Sequence, residues 1–378
     1  MGGCGSSKGV GMTKKRIGVS LYPEFFSQEE NIAYLEKAAS YGFDQLFLAI
    51  FMSKESREEI LDRYRPLCDR AKELGFEIAC DLNPAVFPRL GVNASAFNGP
   101  LDLTFFEELH FDIMRLDLGM TSMEEAMLTK NKAGIKVCLN TGSPWHVDEV
   151  LMAGADKDML MGCHNYYPHR YTGMTQEFFD QGSEPWIRNN MRLQAFVTST
   201  SPDARGPWPV TEGLPTLEAH RDLPIATQMK HFVLMPGVTD VYIANAFATD
   251  EELAAMAAAN NDVITFSVEP AEGLPADMRE HAQMPLSRRG DSSAWICRTL
   301  ESRFAGRSFE PFNTVPIKRG DVIVDNKLYG QYDGEVQIAL RDMENDGKAN
   351  VLGHIVPEEH MLLDYVTGSC AFKLDFGA

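Results

Sequence analysis

The chain has 378 residues and a formal net charge of −19 at pH 7. It is long enough for two ordinary domains and acidic enough to repel nucleic acid and anionic lipid surfaces. No apolar run approaches the ~20 residues of a membrane span, and the seven cysteines have neither zinc-site nor CxxC spacing.

Residues 1–14 read as a disordered extension. Met1-Gly2-Gly3-Cys4-Gly5-Ser6 matches the formal myristoylation pattern, but the segment is short and reads better as extra sequence ahead of a start at Met12. Strand-like and helix-like runs then alternate. Ile17–Tyr22 is the first strand, followed by a helix over Ser27–Tyr41 in which Ser27 and Glu30 have capping-box spacing. Gln45–Phe51 is the second strand, and a charged helix over Ser53–Leu74 ends at Gly75. Six further strands are expected at Glu77–Leu82, Ile113–Leu118, Ile135–Leu139, Leu160–Tyr166, Leu193–Thr198 and Val241–Ala246. Cys80, Cys138 and Cys163 fall inside or at the ends of these runs and read as reduced, buried thiols.

Alternating strands and helices imply a parallel sheet with helices outside. Eight such units in about 250 residues suit a closed (β/α)8 barrel. No G-x-G-x-x-G follows any strand, which argues against a dinucleotide site. The expectation is an α/β chain: a barrel over residues 15–259, then a β-rich domain over residues 260–378. The second domain has short strands at Asp321–Asp325, Glu335–Leu340 and Ala349–Ile355, with turn residues between them.

Catalysis in such a barrel sits at the C-terminal ends of the strands. Those ends carry Tyr22 and Glu24, then Asp81 and Asn83, then Arg115 and Asp117, then Asn140, then His164, Asn165, Tyr166 and Arg170. Asp117 interrupts an apolar run, and a buried carboxylate needs a partner or a function. Arg115, two residues away, points to the same face. After the seventh strand come Arg205, Glu212 and Arg221, in the region where barrels often hold phosphate. Paired carboxylates without a metal-ligand cluster suit glycoside hydrolysis, one as acid and one as nucleophile or base. No cofactor and no metal are implied. Asp117, Glu24 and Asp81 are the catalytic candidates, and the others named are substrate-binding candidates.

Seven segments are similar to the bacterial 6-phospho-N-acetylmuramidases. They are GVSLYPE (18–24), DLNP (81–84), RLDLG (115–119), GCHNYYPHRYTGM (162–174), EGLPTLEAHR (212–221), RGDVIVDNKLYGQYDGEVQI (319–338) and LLDYVTGSCAF (362–372). The resemblance implies a (β/α)8 TIM barrel followed by a cyclophilin-like β-barrel. It also implies a cytoplasmic enzyme that cleaves the β-1,4 bond of N-acetylmuramic acid 6-phosphate–N-acetylglucosamine, a phosphorylated amino-sugar disaccharide. The second domain is expected to add Arg288, Arg289, Asn326 or Tyr329 to the site or to pair two copies as a homodimer. Attack by the substrate's own acetamido oxygen is a further mechanism open to such enzymes. The rival readings are a phosphosugar isomerase or aldolase, for which no Schiff-base lysine stands at a strand end, and a non-catalytic sugar-binding protein.

Overall fold

The computed structural model describes residues 14–51, 54–291 and 293–377. The expected N-terminal extension lies, but for Lys14, outside the described residues. All eight expected strands form, as β1 (Arg16–Leu21), β2 (Gln45–Ile50), β3 (Glu77–Leu82), β4 (Ile113–Leu116), β5 (Lys136–Asn140), β6 (Leu160–Cys163), β7 (Arg192–Val197) and β8 (Asp240–Ile243). They close in chain order into a parallel barrel, β8 pairing back onto β1. Helix α1 (Gln28–Ser40) starts on the Ser27–Glu30 capping box. Helix α2 (Arg57–Glu73) starts on a second box, Ser56–Glu59. Each box satisfies N–H groups that the first turn leaves unpaired.

The barrel interior is filled by inward side chains, among them Phe47, Ala79, Ile113, Cys138, Met161, Phe196 and Tyr242. Gly18 is required for this packing, since a Cβ there would lie 2.4 Å from the Tyr242 ring. At the N-terminal end, first residues of strands form a charge cluster. Arg192 reaches Glu77 at 2.7 Å and Asp240 at 2.5 Å, and Arg16 reaches Glu77 at 2.6 Å. Burial would raise the Glu77 carboxyl, but Arg192, Arg16 and Lys136 overcome it and bring it down to about 2.

The chain divides into two compact units. One holds Lys15–Met229 and Gly237–Ala258, and the other holds Lys230–Pro236 and the residues from Ala259 onward. The last turn of helix Ile225–Leu234 therefore counts with the second unit, where Lys230 pairs with Glu359 at 2.5 Å. That unit carries β9 (Ile264–Pro270), β10 (Leu286–Ser287), β11 (Ile296–Arg298), β12 (Asp321–Asp325), β13 (Val336–Ala339), β14 (Ala349–Ile355) and β15 (Ala371–Asp375). They form one curled sheet in the order β10-β15-β9-β14-β12-β13-β11. A single bridge, Arg288 to Thr299, links the segments that follow the two edge strands.

Candidate active site

Strand alternation decides what faces the barrel mouth. Ala79, Ile113 and Cys138 point inward, so Asp81, Arg115 and Asn140, two residues on, do the same. The register pairs Asp81 with Arg115 across β3 and β4. Asp117 lies just past β4, its N–H donating to the Leu82 carbonyl at 3.1 Å.

Arg115 organises these groups. It is 3% exposed; its Nη1 bonds Asp81 Oδ1, and its Nη2 bonds Asn165 Oδ1. The same Nη1 lies 3.6 Å from Asp117 Oδ1. Asn140 Nδ2 also donates to Asn165 Oδ1, at 3.0 Å. Burial pushes the Asp81 carboxyl above its ordinary value; Arg115 opposes this and Asp117 adds to it. Asp117 is the more open group, with half of its side chain exposed.

Asp81, Asn83, Arg115, Asp117, Asn165 and Tyr166 line one cavity of about 290 Å³. Phe51 and Trp208 form its aromatic wall, edge to face at 5.8 Å. Asn83 accepts the Ala85 N–H at 2.9 Å, which shapes the turn after β3. Tyr22 stands behind Tyr166, 3.4 Å between their hydroxyls, and its own proton goes to the Ala244 carbonyl at 2.5 Å.

A second cavity of about 460 Å³ shares Asn165 with the first and adds Asn140, Ser143 and His146. His146 Nε2 lies 2.6 Å from Glu125, whose carboxylate is fully buried and also accepts the Met120 N–H. The hydrogen bond to Glu125 raises the His146 pKa. A third cavity of about 330 Å³ is lined by Arg170, Glu212, Arg221 and Asn245, among others.

Several expected site residues have other roles. His164 is fully buried between Thr141 and Ser183, each 2.8 Å from a ring nitrogen, and stacks on Phe179. Burial lowers its pKa to about 3, so it is a neutral packing residue. Cys163 faces inward, so the next residue must face the helices. Glu24 does not line the cavity; its Oε1 accepts the Phe51 N–H at 3.1 Å and lies 3.2 Å from the Tyr64 hydroxyl. It braces the rim residue Phe51. Arg205 is exposed and pairs through its backbone with Ala246.

Arg221 is spent on structure. Its guanidinium donates to Glu218 and to the carbonyls of Tyr167, His169, Glu212 and Gly213, tying the loops after β6 and β7 together. Replacing Arg221 with Ala removes a buried guanidinium from these part-buried acceptors and is expected to cost about 3 kcal/mol. Lysine, lacking the planar fork, should not restore the loss. Denaturant unfolding reads this directly, and an unchanged midpoint would contradict the bracing role. Arg170, by contrast, forks onto the largely exposed Asp222 at 2.6 and 2.9 Å.

Of the four expected residues of the second unit, Arg288 donates to the carbonyls of Val366 and Ser293. Asn326 is fully buried and bonds Gly347 and Asn350, which makes it a structural cap and not a ligand contact. Arg289 forks onto Asp291. Tyr329 lines a cavity of the unit's own.

Residues 17–258 match the N-terminal domain of the 6-phospho-N-acetylmuramidases, and residues 264–375 match the C-terminal domain. The chain belongs to this family. It is therefore a glycosidase. Two solved structures share its architecture over nearly the whole length. An uncharacterised B. cereus protein is 33% identical, with a TM-score of 0.86 over 96% of this chain and 100% of that one. A conserved Enterococcus faecalis protein of unknown function is 25% identical, with a TM-score of 0.70 over 95% and 96%. The comparison with curated proteins found no match. No described helix is long and apolar enough to cross a membrane.

The sequence pattern points to Trp208 as an aromatic of the mouth but not to Phe51 as its partner in the cavity wall, nor to the Glu125–His146 pair. The Glu125–His146 pair stands away from the strand ends: His146 opens helix His146–Met152 and Glu125 lies within helix Ser122–Leu128.

Proposed function

We propose that the barrel mouth hydrolyses the β-1,4 bond of N-acetylmuramic acid 6-phosphate–N-acetylglucosamine in the cytoplasm, during recycling of cell-wall fragments. The observation that carries this reading is the pair Asp81 and Asp117 on one Arg115 nitrogen, inside one cavity. In the proposed reaction Asp81, whose carboxyl is raised by burial, protonates the leaving oxygen. Asp117, more open and beside a fixed positive charge, attacks the sugar carbon. Burial and the neighbouring Asp117 favour the proton that Asp81 needs as an acid, against the pull of Arg115. Phe51 and Trp208 offer flat apolar faces to the sugar rings. Arg170 is the candidate for the phosphate, because an exposed pair such as Arg170–Asp222 is worth little and exchanges readily.

Two carboxyls on one guanidinium nitrogen sit closer than the roughly 6.5–9.5 Å that an inverting enzyme needs for its water. Retention of configuration is therefore expected. The test is to incubate the purified chain with the disaccharide and follow the first-formed anomer by proton NMR. No release of N-acetylglucosamine would overturn the reaction, and inversion would overturn the assignment of roles. The active form holds a proton on Asp81, so kcat should fall as pH rises through that elevated pKa.

A further inference from the structure

We propose that the C-terminal unit carries a second ligand site, a cavity of about 340 Å³ that takes an N-acetylated amino sugar by its acetamido group. The sheet register builds it. Ile323 and Asp325 lie on one face of β12, Gln337 of β13 stands opposite Ile323, and Ala349 of β14 stands opposite Asp325. Ile317, Ile323 and Ala349 belong to a buried apolar cluster, and Ile296 and Met343 pack on it only partly buried. All of these residues line the cavity. The floor is thus aliphatic and open to a ligand.

Asp325 is out of place on such a floor unless something answers it. It is 5% exposed. Its Oδ2 accepts one N–H of Gln337 at 2.8 Å, and among the described residues Oδ1 receives no hydrogen bond. Burial, then the neighbouring Glu335, raise its carboxyl to about 7. Arg298 offsets this only in part, because it forks onto Glu335 at 2.7 and 3.0 Å.

An acylamino group complements this arrangement. Asp325 accepts its N–H, the second N–H of Gln337 can donate to its carbonyl, and the aliphatic floor receives its methyl. Tyr329 and Tyr332 at the wall give a sugar ring apolar faces. Glu344 in the lining repels phosphate and carboxylate, while Asp346 is paired with Lys348. The volume suits a monosaccharide-sized ligand. The choice of an amino sugar among acylated amines rests on the reaction proposed for the barrel; the preference for an acylamino group does not.

Methyl-labelled isoleucine spectra of the full chain test the site directly. Titration with N-acetylglucosamine should shift the methyls of Ile296, Ile317 and Ile323 saturably. Glucosamine and N-acetylglucosamine 6-phosphate should act at least about tenfold more weakly. Asp325→Leu should abolish the shifts and Tyr329→Ala, at an exposed rim position, should weaken them, with disaccharide hydrolysis unchanged in both. Shifts confined to Ile50 of the barrel cavity, an equal response to glucosamine, or binding undisturbed by both variants would overturn the proposal. Missing hydrolysis with these shifts intact would count against the barrel reaction alone. Intact hydrolysis without the shifts would count against this site alone.

Discussion

Replacing Asp117 with Asn should lower kcat on the disaccharide by on the order of 10³-fold or more while KM and the unfolding midpoint stay near their starting values. The substitution is isosteric and the side chain is half exposed, so no buried group is stranded. What is lost is the negative charge that meets the developing cation at the sugar carbon, and each tenfold in rate is about 1.4 kcal/mol of transition-state stabilisation. A nitrophenyl leaving group separates the two carboxyls. It departs without protonation, so the Asp81→Asn variant should recover most of its rate on such a substrate, whereas Asp117→Asn should not. Near-normal turnover by Asp117→Asn would end its assignment, and equal recovery by both variants would mean the roles are misassigned.

The second large effect is expected at Arg115. Its guanidinium is almost wholly buried and holds Asp81, Asn165 and Asp117 at once. Arg115→Met leaves the ionised form of the buried Asp81 without a counter-charge, which costs up to about 3–5 kcal/mol above the Asp81 pKa. For a unit of this size that is roughly 6–20 °C in Tm. Adding Asp81→Asn to Arg115→Met should recover part of the loss, since the stranded charge is then gone. Activity should stay abolished in both. Scanning calorimetry of the single and double variants gives the coupling; purely additive losses would show that Arg115 and Asp81 are not energetically paired.

Much of the barrel could be read from the chain because its strands are apolar runs bounded by turn and cap residues. Asp81, Arg115, Asp117 and Asn140 were legible for the same reason, since a polar residue at an inward position of an apolar strand has few explanations. The errors came where pattern stops carrying position. Reading β6 through to Tyr166 hid the change at Cys163, where the strand ends and His164 turns to the helices. Arg221 looked like a ligand residue, and Glu24 like a catalytic carboxylate, because sequence shows a charge but not its partners. The Glu125–His146 contact joins residues from different helices, and no local spacing announces such a meeting. In the second unit the individual strands were visible, but the cavity arises from the register of β12, β13 and β14, which only the folded sheet displays.

The charge cluster at the N-terminal end of the barrel also bears on kinetics. With Arg192, Glu77, Asp240 and Arg16 closing that end, and side chains filling the interior above them, nothing bound at the mouth can leave through the barrel. Whatever enters deepest must leave last. A glycosyl group attached to Asp117 would wait for the sugar nearer the solvent to depart before water could follow it in. Release would then be sequential, and the two products would inhibit differently: the deeper one in competition with substrate, the outer one by running the first step backwards.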